Sequence, residues 1–298
     1  MPSETPTVAD VRQVLRAHLP DHAAGSVTPL GAGLDNVTFD VDGELVVRLA
    51  REPDRDRLDR EARLLAAVAR VSPLPVPEPM LAVPELGCLA YRRLPGTPLL
   101  GLPRPPHAAV PIAAALGGFL AALHGIPAAD VAGLADVDDT PLAEWLAEAA
   151  ATYPAVAPHL PARHRPAVEA FLAAAPPADA TGADAVFTHG DLGVEHVLVD
   201  PGTWAVTGVV DWSDAAITDP AHDVGRLLRD LGPDALDAAL AAHGGPARDD
   251  AALRERATCH ARCGLLEDLA YGLSTGRRAY VDQSLAALAW LFPAPLSR

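Results

Sequence analysis

Residues 186–223 read VFTHGDLGVEHVLVDPGTWAVTGVVDWSDAAITDPAHD, and this stretch decides the fold. A short apolar strand, Ala185–Phe187, runs into the polar cluster His189, Gly190 and Asp191. The β-branched run Val197–Val199 then meets a turn signal at Asp200-Pro201-Gly202, and a second apolar run, Val206–Val210, ends on Asp211. Pairing the two runs as a hairpin about that turn brings His196 and Asp211 out at the same open end. Asp191 lies just upstream, in the loop feeding that end. Two carboxylates and an imidazole therefore converge within one short stretch, which is the pattern of a site.

The first part of the chain reads as two helical stretches and a small antiparallel sheet. Val8–Leu19 has helical apolar spacing with Thr7 as N-cap. Val27–Val41 is strand, glycine turn, strand. Gly31 and Gly33 allow close backbone approach, and their N–H groups can face phosphate oxygens, although an ordinary β-turn has the same spacing. Glu44–Leu49 is a strand carrying a cation, Arg48, which needs a partner or a ligand inside an apolar run. After a charged linker, Asp59–Val71 reads as an amphipathic helix with Leu58, Ala62, Leu65, Ala66 and Ala69 inward and Glu61 on its flank. Met80–Val83 and Cys88–Leu94 close the sheet. Leu94-Pro95-Gly96 marks the domain boundary, giving units 1–93 and 94–298.

Beyond it the chain turns to Ala/Leu-rich helices. These are Pro111–Leu123, Pro141–Ala151 with Thr140 as N-cap, Arg163–Ala174, Pro220–Leu231 between Asp219 and Gly232, Ala235–Ala242, Ala251–Leu273 and Asp282–Leu291.

Composition narrows the partners. Of 298 residues 50% are hydrophobic, enough for sizeable packed cores, and the net charge of −16 argues against nucleic acid and anionic membrane; it suits a cationic ligand, although a solubilising acidic surface accounts for it more readily. Three cysteines, Cys88, Cys259 and Cys263, cannot build a disulfide framework and indicate a reducing compartment. Cys259, His260 and Cys263 lack zinc-site spacing and read as buried helix packing. The acidic, polar N-terminus is no signal peptide, and the uncharged run Ala108–Leu123 is short for a membrane span, so a cytoplasmic location is expected.

Phosphoryl transfer needs a cradle for phosphates, a cation on them, metal ligands, and a carboxylate for the attacking hydroxyl. With a candidate for each in this order, the chain resembles the aminoglycoside phosphotransferase family from Leu30 to about Leu231. HGDLGVEHVLVD resembles the catalytic loop, VVDW the metal-binding segment, and TDPAHD the segment bracing that loop. LGAGLDNVTF resembles the nucleotide-covering loop, REARLL the helix with the ion-pairing Glu, and YRRLPGTPL, with Tyr91, the hinge.

The resemblance implies an α+β, protein-kinase-like bilobal fold with a small antiparallel-sheet nucleotide lobe and a larger helical lobe. It assigns Asp191 as catalytic carboxylate with His189 bracing it, Asp211 and His196 as Mg²⁺ ligands, and Gly31, Gly33, Arg48, Glu61 and Tyr91 to an ATP or GTP site. Asp214, Glu267, Asp268 and Tyr271 become candidates for the acceptor, a small molecule bearing a hydroxyl. Two departures stand out. Arg48 occupies the place of the usual phosphate-contacting Lys, and His196 that of the usual Asn, as in macrolide phosphotransferases and one aminoglycoside branch. The implied activity is phosphorylation of an aminoglycoside or macrolide. A housekeeping kinase for an amino alcohol or sugar, and a nucleotide-binding pseudokinase, stand beside it.

Overall fold

A computed structural model of the chain describes residues 5–294 apart from 23, 24, 34 and 181; Leu34 of the glycine loop and the first four residues of the N-terminal stretch lie outside the described residues. Two compact units result, one of Met1–Pro95 with Val131–Ala135 and one of Gly96–Asp130 with Asp136–Arg298.

In the first unit, α1 (Val8–His18) opens on a reciprocal cap: Thr7 Oγ1 accepts the Asp10 amide while the Asp10 carboxylate accepts the Thr7 amide. Strands β1 (Val27–Ala32), β2 (Asn36–Val41), β3 (Leu45–Ala50), β4 (Pro79–Val83) and β5 (Cys88–Arg92) form an antiparallel sheet ordered β1-β2-β3-β5-β4. Alternation directs Leu45, Val47 and Leu49 of β3 into a core shared with Val37, Phe39, Val11 and Leu15. Arg48 falls on the other face, in register with Thr38 and Leu89.

Helix α2 (Arg55–Ala69) starts a turn earlier than its sequence suggests. The charged stretch before Asp59 is its first turn and not a linker, because the Asp54 carboxylate caps the Arg57 amide at 3.0 Å. Its buried face is also corrected. Leu58, Leu64, Leu65, Ala67 and Val68 are buried, whereas Ala66 is exposed and Ala62 and Ala69 are half-buried. The bulky Leu and Val side chains gain most from burial and set the rotation of the helix.

Past Pro95 the chain is largely helical, with α3 (Ala109–His124), α4 (Ala128–Val131), α5 (Leu142–Val156), α6 (Arg165–Leu172), α7 (Ala221–Leu231), α8 (Pro233–His243), α9 (Ala251–Thr275) and α10 (Arg278–Leu291). Short strands β6 (Thr97–Pro98), β7 (Asp136–Val137), β8 (Val186–Thr188), β9 (Val197–Val199), β10 (Val206–Val209) and β11 (Ala216–Thr218) form two sheets, ordered β10-β9-β6 and β7-β11-β8. Leu146 of α5, Leu228 of α7, Leu266 of α9 and Leu288 of α10 share one core. Thr140 does not cap α5. Its own amide is bonded to Asp138, and the Leu142 amide is satisfied at 2.7 Å by Asp179, a residue far along the chain.

The alanine-rich α3 is buried along Ile112, Leu116, Leu120 and Leu123, and packs so closely on α8 that a Cβ at Gly117 would stand 2.0 Å from the Ala239 carbonyl oxygen. Among the described residues no helix is long and apolar enough to cross a membrane. All three cysteines are free and buried.

Candidate active site

The hairpin forms as its sequence requires. Val199 pairs with Val206 and Val197 with Val209, and the Asp200 carboxylate accepts the Gly202 and Thr203 amides in the turn. At the open end, His196 Nδ1 stands 4.0 Å from Asp211 Oδ2. Asp211 takes a left-handed backbone with φ of 63°, uncommon for a residue other than glycine, which turns its half-exposed carboxylate off the strand end, where Ser213 Oγ donates to it at 2.7 Å.

The loop from His189 to His196 has little regular structure and is held by side chains. Asp223, fully buried on α7, accepts the amides of His189 at 3.0 Å and Gly190 at 3.1 Å, and meets His124 Nε2 at 3.3 Å. Burial alone would raise the Asp223 carboxyl, but the hydrogen bond and charge of His124 outweigh it and hold the group below its usual range. Gly190 is obligatory: its φ is 80°, and a Cβ there would lie 2.0 Å from the Asp214 carbonyl oxygen. His189 is fully buried, and burial lowers its pKa. Its Nδ1 accepts the Asp191 amide at 3.3 Å, which leaves Nε2–H to donate to the Val210 carbonyl at 3.2 Å. One neutral tautomer thus ties the loop to the end of the hairpin.

Asp191 has each carboxylate oxygen engaged by a different group. His196 Nε2 lies 3.1 Å from Oδ2, and Arg226 Nη2 lies 3.2 Å from Oδ1. Burial pushes this carboxyl up, yet the His196 hydrogen bond and the Arg226 charge together hold it well below the usual carboxylate range. Conversely, burial disfavours a proton on His196, but the hydrogen bond and charge of Asp191 raise it to about 9. Asp214, expected as an acceptor contact, is raised by burial and by the charges of Asp191 and Asp211.

Three further residues of this site escaped the sequence reading. Glu195 is mostly buried with its carboxylate folded over Gly193, and it groups with Asp191 and His196 so that their ligand atoms lie within 4.8 Å of one another. Asp230 accepts the Val194 amide at 3.1 Å. Arg226 is the third. Asp223, Arg226 and Asp230 recur at i, i+3 and i+7, one face of α7, so charged residues at core spacing in an otherwise apolar helix were the available signal. Asp219 secures this helix, accepting the Ala221 amide at 2.9 Å and pairing with Arg256 of α9 at 2.6 Å.

The acceptor candidates part company. Asp268 is in a buried ion pair with Arg229 at 2.9 Å; burial, with Glu195 and Asp230 behind it, raises its carboxyl against the pull of that arginine. Tyr271 is exposed, edge-on to Tyr280 at 5.0 Å with Arg277 above it. Glu267 lines a cavity of about 350 Å³ with Trp145, Glu148, Thr152 and Cys263. Trp145 in turn packs on His222 and His260, at 5.2 and 5.6 Å between ring centres.

The remaining candidates belong to the first unit. Arg48 donates to Glu61 of α2, with both side chains largely buried. A bulge in β1 falls between Pro29 and Gly31, and the Gly33 amide closes the turn onto Asn36 O at 2.9 Å. A Cβ at Gly31 would meet nothing within 4 Å, so the protein's own packing does not call for glycine there. Tyr91 is buried within β5, opposite Val46 and Pro79.

Comparison with known proteins gives the family and the fold. The model of the phosphotransferase enzyme family matches residues 26–256. Viomycin phosphotransferase of Streptomyces vinaceus is 38% identical over 97 residues, 29% of this chain and 34% of that protein, so the match spans about a third of the relative. Among solved structures, the GDP complex of aminoglycoside 2'-phosphotransferase-IIIa superposes with a TM-score of 0.68 at 21% identity, over 95% of this chain and 97% of the other. A macrolide 2'-phosphotransferase of Brachybacterium faecium does so with a TM-score of 0.62 at 27% identity, over 98% of this chain and all of the other. The fold is the α+β, protein-kinase-like one.

Proposed function

The chain belongs to the phosphotransferase enzyme family, and on that premise we propose that it transfers the γ-phosphoryl group of ATP or GTP to a hydroxyl of an antibiotic, of the aminoglycoside or macrolide type or a cationic relative. The observation that carries this reading is the Asp191 carboxylate, charged, partly open, and fixed between His196 and Arg226 at the mouth of a hairpin ending in Asp211. Asp191 orients the acceptor hydroxyl and receives its proton as that oxygen bonds the γ-phosphorus and the bond to the bridging oxygen breaks, the nucleoside diphosphate leaving. Being strongly acidic, it works first by orientation, and the proton passes to it late in the transfer.

The donor set fits a hard divalent cation. Asp211 supplies an exposed carboxylate oxygen, and His196 keeps Nδ1 turned toward it while Nε2 serves Asp191. His196 must shed its proton for that role, as metal ligation requires. Bound there, Mg²⁺ would neutralise charge on the transferring phosphates. Gly31, Gly33, Arg48, Glu61 and Tyr91 form the nucleotide part of this reading, with the Arg48 fork in place of a lysine point charge. Solved structures of this fold include complexes with GDP, with streptomycin and ATP, and with gentamicin, which supports a nucleotide donor and an antibiotic acceptor. The acidic, tryptophan-walled cavity at Glu148 and Glu267 supports a cationic acceptor, and three buried free thiols support a cytoplasmic setting.

The test is phosphate transfer to a panel of aminoglycosides, macrolides and viomycin with ATP and GTP in parallel. Asp191→Ala and Asp191→Asn should each lower kcat by about 10²–10⁴-fold on the acceptor identified. Unimpaired transfer by both variants sinks the assignment.

A further inference from the structure

Arg226 is an unusual cation. Its side chain is 14% exposed, its Nε is buried with no hydrogen-bond partner among the described residues, and the carboxylate it pairs with is Asp191. Its charge is felt by the carboxyls of Asp214 and Asp268 and by two buried histidines. Burial first, and the charge of Arg226 after it, hold His222 down to about 4; burial, His222 and Arg226 hold His260 down to about 3. Room for it comes from α9, where a Cβ at Gly264 would stand 3.2 Å from Arg226 Nη1. Burying a guanidinium with an orphaned N–H destabilises a fold, so neutralising one partly exposed aspartate is a poor explanation for it.

Geometry offers a better one. One contact on a carboxylate leaves it free to rotate about its last torsion, whereas separate contacts on Oδ1 and Oδ2 fix its plane. Arg226 reaches Oδ1 from the same face of α7 whose Asp223 and Asp230 set the loop backbone. Loop and carboxylate are then placed by one rigid element.

We propose that Arg226 is a positioning residue for phosphoryl transfer, holding the plane of the Asp191 carboxylate together with His196 so that one free lone pair meets the acceptor hydroxyl. This rests on the phosphotransfer reading above. Because the contact is with a reacting group and not with a substrate's binding surface, its loss falls on kcat and spares KM.

The experiment is steady-state turnover of Arg226→Gln and Arg226→Lys on an acceptor that the wild-type enzyme phosphorylates, with thermal melts of each protein. R226Q should lose about 10²-fold in kcat, the scale of a misplacement near 1 Å, with both KM values little changed. R226K, a point charge in place of a fork, should recover about tenfold of that. In an Asp191→Asn background, R226Q should cost almost nothing more, since a residue acting through Asp191 is not additive with it. The proposal is overturned if folded R226Q keeps its kcat, if the loss lies in KM, if R226K is no better than R226Q, or if the two substitutions are additive. Should R226Q not fold, R226K decides, and an undiminished kcat refutes the role. A wild-type enzyme that phosphorylates no acceptor in the panel removes the phosphotransfer reading and this proposal with it; an active wild type with an indifferent R226Q removes this proposal alone.

Discussion

Replacing Asp223 separates what holds the loop of residues 189–196 from the chemistry proposed for it. In Asp223→Ala the amides of His189 and Gly190 lose their acceptor, and both residues are wholly inside the protein or nearly so. Each orphaned buried donor costs about 1–3 kcal/mol. His124 loses its carboxylate partner as well, and relief from burying the charge returns part of the total. The expected loss of unfolding free energy is about 3–5 kcal/mol. Asp223→Asn keeps one acceptor oxygen and sets an NH₂ against the second amide, so about half that loss is expected. Urea unfolding followed by circular dichroism measures both. Turnover measured well below the melting temperature should also fall by about 10²-fold in Asp223→Ala, because Asp191 follows directly on the released amides. A variant as stable as wild type, or a destabilised one with full turnover while folded, would refute the reasoning.

Adjacent glycines on α3 should respond with opposite sign. Gly117→Ala drives a Cβ into the α8 backbone and should destabilise by about 2–3 kcal/mol, while Gly118→Ala, whose Cβ meets nothing within 4 Å, should stabilise by up to about 1 kcal/mol through helix propensity; equal melting temperatures would contradict this. His222 and His260 refuse protons in the fold down to about 4 and about 3, whereas the unfolded chain takes them near the ordinary histidine value. Stability should therefore fall as pH drops below about 6.5, by about 2 kcal/mol per histidine at pH 5 relative to pH 8, and level off below the folded-state values. His222→Gln should flatten that dependence, and an unchanged difference between the two pH values would rule the histidine out. For Arg48, calorimetry should show nucleotide binding weakened about tenfold or more in Arg48→Gln and largely kept in Arg48→Lys; undiminished affinity in Arg48→Gln would leave the residue a partner of Glu61 only.

Local pattern made much of this legible in the chain. The hairpin follows from two β-branched runs and an Asp-Pro-Gly turn, and with it the approach of His196 to Asp211. Helix α1 and its Thr7 cap follow from periodicity and one polar residue. Failures came where a distant group decided the outcome. Thr140 has the chemistry of a cap, but Asp179 takes that place from far along the chain. The first turn of α2 is charged on its exposed side and so passed for a linker. Arg226 and Asp230 touch the loop of residues 189–196 through pairings that no local window contains, and Asp268 turned inward to Arg229 for the same reason.

The way the loop of residues 189–196 is suspended has a consequence for descent. Its amides at His189, Gly190 and Val194 are matched by carboxylates at Asp223 and Asp230, and its central carboxylate by Arg226. Residues 189–230 therefore form a single hereditary unit. Recombination between related genes within the intervening β9–β10 hairpin would join one loop to another's helix and break these matches at once. Exchange beyond residue 230 spares these matches, but α9 stays tied to the unit through Arg256 on Asp219 and Asp268 on Arg229, so only what lies outside those pairs is free to diverge.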